Sequence, residues 1–154
     1  MFRRAFCCVS LCVFSLGSLA AAAAEPFRDE TVIALERGAM DRWGNGDPNG
    51  FLEIYAPGIT YFDPGRERRV DGLEAMTAVL APIKVLIMLD HYDMIAPHVY
   101  HDGNVAVLSY NLVTYGKGTG PEARVTRWNV TAAYALIGGH WKIVHHHFSI
   151  TKPA

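Results

Sequence analysis

The chain has 154 residues, 51% of them hydrophobic, with 14 basic and 15 acidic side chains and a formal charge of −1. That balance leaves no basic stripe for nucleic acid. No internal repeat and no low-complexity linker divides the chain, so one domain is expected.

Residues 1–24 read as a signal peptide. Arg3 and Arg4 form a positive n-region, Ala5 to Leu19 an uncharged apolar stretch, and Ala22-Ala23-Ala24 an A-x-A cleavage site before Glu25. A retained membrane anchor is the alternative, but the apolar stretch is short and lacks a charged stop. All three cysteines (Cys7, Cys8 and Cys12) fall in this segment. A mature chain of residues 25–154 therefore carries no disulfide, thiolate nucleophile or cysteine metal ligand. Without Arg3 and Arg4 it has 12 basic against 15 acidic residues, a charge of −3. The expected location is secreted or periplasmic, with no membrane contact once the signal is removed.

In the mature part, Val32, Leu35, Ala39, Met40 and Trp43 recur at helical spacing and predict a helix over Asp29 to Gly44. Gly44-Asn45-Gly46-Asp47-Pro48 stops it. Asp47 or Asn49 can cap a short second helix through Phe51, Leu52 and Tyr55, ended by Pro57-Gly58. Ile59 to Phe62 predicts a strand, closed by the turn Asp63-Pro64-Gly65. Arg66 to Arg69 reads as a solvated loop, and Asp71 as the cap of a third helix, Leu73 to Leu80, ended near Pro82.

Strands follow. Val85 to Tyr100 is extended, with Pro97 marking an edge, a bulge or a break into two strands. His101 to Asn104 is a hairpin turn, Val105 to Tyr115 a strand, and Gly116 to Gly120 a loose turn. Arg124 to Ile137 is a long strand, Gly138-Gly139 a tight turn, and His140 to Thr151 the last strand. Helices followed by an antiparallel meander predict an α+β fold with the helices on one face of a curved sheet. The concave side of such a sheet is the default ligand site.

Four segments stand in order along the mature chain: Thr60-Tyr61-Phe62-Asp63-Pro64, Val70-Asp71-Gly72-Leu73, Ala96-Pro97-His98-Val99, and Gly139-His140-Trp141-Lys142-Ile143-Val144-His145-His146-His147. With them the chain resembles the NTF2-like superfamily of SnoaL-like, DUF4440-type and ketosteroid-isomerase-like proteins. Within it, the chain is most similar to the association domain of calcium/calmodulin-dependent kinase II. The resemblance implies a cone-shaped open barrel, a deep pocket and self-association, as a homodimer or higher homo-oligomer, through the outer sheet face. It implies no kinase. Where the association domain carries pocket arginines, the alignment places Asn111, Ala132 and Phe148, so the same acidic ligands are not expected.

Three consecutive histidines mark the last strand. Alternation puts His145 and His147 on one face with Trp141 and Ile143, and His146 on the other with Val144, Phe148 and Ile150. Periodicity does not say which face is concave; the alignment places Phe148, hence His146, inside. An i, i+2 histidine pair can supply two metal ligands, with His91, His98 or His101 as a third. No glutamate or cysteine stands nearby at metal spacing, so no metal and no cofactor are expected.

Tyr61 and Asp63 share a face. Asp63 can act as a proton shuttle in an apolar pocket, with Tyr61, Tyr55 or His146 donating to a developing enolate. It can equally cap the Pro64-Gly65 turn, which Asx geometry favours. Trp43, Tyr55, Tyr61, Asn111, Trp128 and Tyr134 form a set of aromatic and amide groups suited either to a flat organic ligand or to core packing. Arg124 and Arg127 can reach a ligand carboxylate or lie solvated at a strand edge. The sequence thus points to a protein that binds a small organic molecule through Trp43, Tyr55, Tyr61, Asn111, Trp128 and Phe148. The alternatives are an isomerase, cyclase or dehydratase using Asp63 and His146 as catalytic groups, and an oligomerisation module.

Overall fold

The computed structural model describes residues 26–83, 88–117 and 124–152. The expected leader lies outside these residues, as do residues 84–87 of the predicted extended stretch and most of the Gly116–Gly120 turn.

Helix α1 (Asp29–Gly44) keeps its predicted bounds. Asp29 and Glu30 in its first turn and Arg42 in its last complement the helix dipole. Its inner face is Val32, Ile33, Glu36, Ala39 and Met40. Helix α2 (Asn49–Ile54) follows, with Asp47 Oδ1 accepting the Asn49 N–H at 3.0 Å. Gly50 lets α2 close onto α1: a Cβ there would lie 2.8 Å from Arg42 Cβ and 2.9 Å from the Ala39 carbonyl. No larger residue fits at that contact without moving backbone.

Strand β1 (Tyr55–Phe62) begins four residues before the predicted start. Pro57-Gly58 does not end α2; it sits inside the strand, where the β1 register shifts between Tyr55 and Thr60. The two-residue strand β2 (Val70–Asp71) pairs with β1. Asp71 therefore does not cap the next helix; its carboxylate is held by Arg69. Helix α3 (Leu73–Leu80) matches its predicted span and runs into a 3₁₀ turn at Ala81–Ile83 around Pro82.

Strands β3 (Leu89–Asp102), β4 (Val105–Gly116), β5 (Val125–Ile137) and β6 (His140–Ile150) form the expected antiparallel meander. Both residues of the Gly138-Gly139 turn have positive φ, 58° and 81°, as a tight hairpin requires. The sheet order is β2-β1-β6-β5-β4-β3. Because β1 lies parallel to β6, the sheet is mixed rather than wholly antiparallel. It is curved and unclosed, and the helices pack on one face of it, an α+β cone.

Two bulges decide which side chains face inward. In β3 one extra residue falls between Ile95 and His98, and Ala96 adopts a φ of 47°. This is where Pro97, which has no N–H to give a ladder, is tolerated in an edge strand. In β6 the register shifts between Ala133 and Tyr134, leaving Val144 as the extra residue. Simple alternation predicted Ile143 and His146 on opposite faces. The bulge puts both inward, opposite Tyr134 and Ala132.

Candidate functional site

A cavity of about 680 Å³ opens between the concave sheet and the helices. Met40 and Trp43 of α1 and Phe51 and Tyr55 of the next two elements form one wall. Met76, Val79 and Leu80 of α3 form another. The sheet contributes Tyr61, Leu112, Thr114, Thr126, Trp128, Phe148 and Ile150. The mouth carries Asp63, Arg66, Lys117 and Arg124. Backbone hydrogen bonds fix the mouth: Gly116 N–H donates to the Arg124 carbonyl at 3.0 Å, and Lys117 N–H to the Met88 carbonyl at 2.9 Å.

The aromatic lining is preset. Trp128 Nε1–H donates to Thr114 Oγ1 at 3.1 Å. The Trp128 ring meets Phe148 edge-on at 6.2 Å, and Tyr61 lies 6.1 Å from Phe148 on its other side. Trp43 meets Phe51 edge-on at 6.1 Å. Such contacts hold ring faces in place without filling the space between them. Burial, with the Asp63 charge nearby, holds the Tyr61 hydroxyl well above the ordinary phenol range, so it is a proton donor at neutral pH.

Beneath this lining lies a polar network. Glu36 and His146 are both wholly buried. His146 Nε2 stands 3.1 Å from Glu36 Oε1, out of line for a hydrogen bond. Tyr110 donates to Glu36 Oε1 at 2.9 Å and Tyr134 to Oε2 at 2.5 Å. Tyr55 Oη and His146 Nδ1 are 3.1 Å apart. Burial by itself pushes the Glu36 carboxyl up. His146 beside it, together with the Tyr134 and Tyr110 hydroxyls, outweighs burial and holds Glu36 below its ordinary value. The same burial, with the Glu36 charge, lifts Tyr55, Tyr110 and Tyr134 well above theirs.

Of the residues expected to bind a ligand, Trp43, Tyr55, Tyr61, Trp128 and Phe148 line the cavity. Asn111 does not. Leu108, Tyr110 and Leu112 hold the inward parity of β4, so Asn111 is exposed on the outer face, donating to Asn129 Oδ1 at 2.7 Å. Ala132 faces inward but is covered, between Leu108 and His146. His146 faces inward as the alignment implied, yet it lies beneath the lining and does not border the cavity.

Asp63 borders the mouth and makes the Asx turn, accepting the Gly65 N–H at 2.7 Å, with Arg66 Nε at 3.3 Å. Arg124 faces the cavity, whereas Arg127 shares the outward parity of Asn111 and Asn129. His145 and His147 lie on the outer face, on either side of Phe62. His145 Nδ1 contacts Thr60 Oγ1 at 2.8 Å, and partial burial, with the histidines beside it, holds its pKa down. Among the described residues no three His, Cys, Asp or Glu side chains gather as metal ligands.

A family model for the SnoaL-like domain matches residues 37–153. The chain belongs to the SnoaL-like family. Among solved structures it is similar to a provisionally designated ketosteroid isomerase from Parabacteroides distasonis, at 32% identity and a TM-score of 0.72, covering 86% of this chain and 95% of that one. An NTF2-like protein of unknown function from Pseudomonas putida is 20% identical, with a TM-score of 0.69 over 81% of this chain and 87% of that one. The association domain of C. elegans CaMKII is 19% identical, with a TM-score of 0.67 over 78% and 93%. The last two likenesses show the fold alone. No curated protein matches the chain.

Sequence reasoning missed Glu36, Tyr110 and the mouth cations Arg66 and Lys117 of this SnoaL-like domain. Glu36 had a readable signal. It stands four residues after Val32 and four before Met40, on the face of α1 that periodicity assigns to the core. A carboxylate there demands buried donors.

The network makes acid stability depend on Glu36. Its folded pKa lies below its ordinary 4.5, so its stabilisation is present above about pH 5 and lost as pH falls through the folded value. Glu36→Gln is expected to lose about 1–3 kcal/mol at pH 7, because an amide offers one acceptor oxygen where Tyr110 and Tyr134 donate to two. The deficit relative to wild type should shrink as pH falls through the folded Glu36 value. Urea denaturation across pH checks this; a deficit that is constant with pH contradicts it.

Proposed function

We propose that this SnoaL-like protein binds a small, largely apolar organic molecule in the cavity between α1, α3 and the sheet. The observation that carries the reading is the open space itself: about 680 Å³, walled largely by aromatic and aliphatic side chains, with its charged groups at the mouth. This is the size and polarity of a small-molecule site rather than of a packing defect. A side chain exposed to such a space is retained where a guest repays its exposure. The export expected from residues 1–24 would place the protein in the periplasm or outside the cell.

Proton-transfer catalysis is a second reading. It rests on Asp63, the one carboxylate among the described lining residues, two positions from the protonated Tyr61. It also rests on the 32%-identical relative designated a ketosteroid isomerase. A carboxylate can take a proton from the carbon next to a carbonyl and return it further along the chain, while a tyrosine hydroxyl donates to the enolate oxygen. Self-association is compatible with either reading. Phe62, Ile95, Tyr100, Val105, Val125 and Ile137 are exposed apolar side chains on the outer face of the sheet, opposite the helices.

Fluorescence titration with N-phenyl-1-naphthylamine is expected to give saturable one-to-one binding. Thr126→Trp, which fills the cavity from β5, should weaken it about ten-fold or more, a loss of at least about 1.4 kcal/mol. Unchanged affinity in a folded Thr126→Trp protein sinks the cavity reading. For the catalytic reading, 5-androstene-3,17-dione should be converted to its conjugated isomer, and Asp63→Asn should slow this by about 10²–10⁴. Equal rates in the two proteins, or no conversion by wild type, remove it. Sedimentation equilibrium at micromolar concentration should report a dimer or larger species; a clean monomer speaks against outer-face association.

A further inference from the structure

We propose that the guest carries one anionic group and lies with that group at the mouth, held by Lys117 and Arg124, and its apolar body against the inner wall. This rests on the cavity reading above and specifies the ligand's chemistry: an apolar molecule with a single carboxylate or sulfonate.

The cavity is polarised along its length. Its inner end is built from Met40, Phe51, Met76 and Phe148, with no charged side chain among the described lining residues there. Every charge in the described lining is at the outer end: Arg66, Lys117 and Arg124 against Asp63. Arg66 is engaged by Asp63, Nε to Oδ2 at 3.3 Å. Among the described residues no carboxylate pairs with Lys117 or Arg124. Among the described residues the mouth therefore carries an excess of two positive charges, on a chain whose net charge is −1. Such a local reversal of sign draws anions to one place on a surface that otherwise repels them.

The two cations are positioned by the sheet. Inward parity on β5 runs through Trp128 and Thr126 to Arg124, so Arg124 stands on the ligand-facing side of its strand end. The Gly116 N–H bond to the Arg124 carbonyl brings the end of β4 beside it, and the Lys117 N–H bond to Met88 fixes the next residue against β3. Thr126 and Thr114 lie next inward, a polar step between the cations and the aromatic wall. An anion on a short stem therefore meets charge first, hydroxyl next and hydrocarbon last. An anion buried at the inner end would lie among Met40, Phe51, Met76 and Phe148, away from both cations.

The test compares two probes with one skeleton: N-phenyl-1-naphthylamine, which is neutral, and 8-anilinonaphthalene-1-sulfonate, which adds the anion. Wild-type protein in low salt is expected to bind the sulfonate about five- to ten-fold more tightly, the scale of two solvent-exposed charge contacts. In 1 M NaCl, and in the double variant Lys117→Gln/Arg124→Gln, the ratio of the two affinities should fall to about one. The salt arm stands even if the double variant fails to fold. A wild-type ratio near one, or a ratio that survives both salt and substitution, overturns the assignment while leaving the cavity reading in place. Failure of both probes to bind overturns the two together.

Discussion

A carboxylate sits where a small α+β domain can least tolerate one. Glu36 and His146 are wholly buried, and taking a carboxylate from water costs several kcal/mol before any attraction is counted. What offsets that cost is the company they keep. Tyr110 and Tyr134 donate to both oxygens of Glu36, and Tyr55 meets the far nitrogen of His146. The five residues come from α1, β1, β4, β5 and β6, so one polar cluster ties the helix to four of the six strands. Moving any of those elements would strand a buried donor or acceptor. The cluster thus specifies how the helix sits on the sheet, which an apolar contact of equal area would do less narrowly.

The cavity is a consequence of that docking. Glu36, Met40 and Trp43 stand at i, i+4 and i+7 on one face of α1, so the residue pinned to the sheet sets the place of the two that wall the cavity. The strands repeat the plan. On β4 the inward series runs from Tyr110 in the cluster to Leu112 and Thr114 in the wall and Gly116 at the mouth. On β6 it runs from His146 to Phe148 and Ile150. Each element thus passes from buried polar anchor to aromatic or aliphatic wall to open end. The anchor takes the interior polarity, and the wall is left free to be apolar.

Much of the architecture was legible in the chain. The spans of α1 and α3 follow from helical spacing and their Gly and Pro stops, and the meander from its Gly-bearing turns. The β1–β6 parallel pairing was not legible, because strand alternation says nothing about which strand becomes a neighbour. Asn111 was misplaced by carrying over an aligned position; the burial of Tyr110 and Leu112 on either side of it was the better guide. Asp63 was read both as a turn-former and as a cavity group, and the structure gives it both places at once. Glu36 was legible and overlooked: it stands between Val32 and Met40 on the core face of α1, where a carboxylate calls for buried donors.

The histidine run shows why local pattern needs long-range context. With strict alternation, the side that holds Ile143 would also hold His145 and His147. Two imidazoles would then face the core, where Glu36 could meet only one. The extra residue at Val144 resets the parity between Ile143 and His145. Ile143 keeps its core place, a single histidine enters opposite a single acid, and the other two are turned to the outer face beside Phe62. The bulge therefore sets one imidazole against one carboxylate inside the sheet, in the cluster that seats α1.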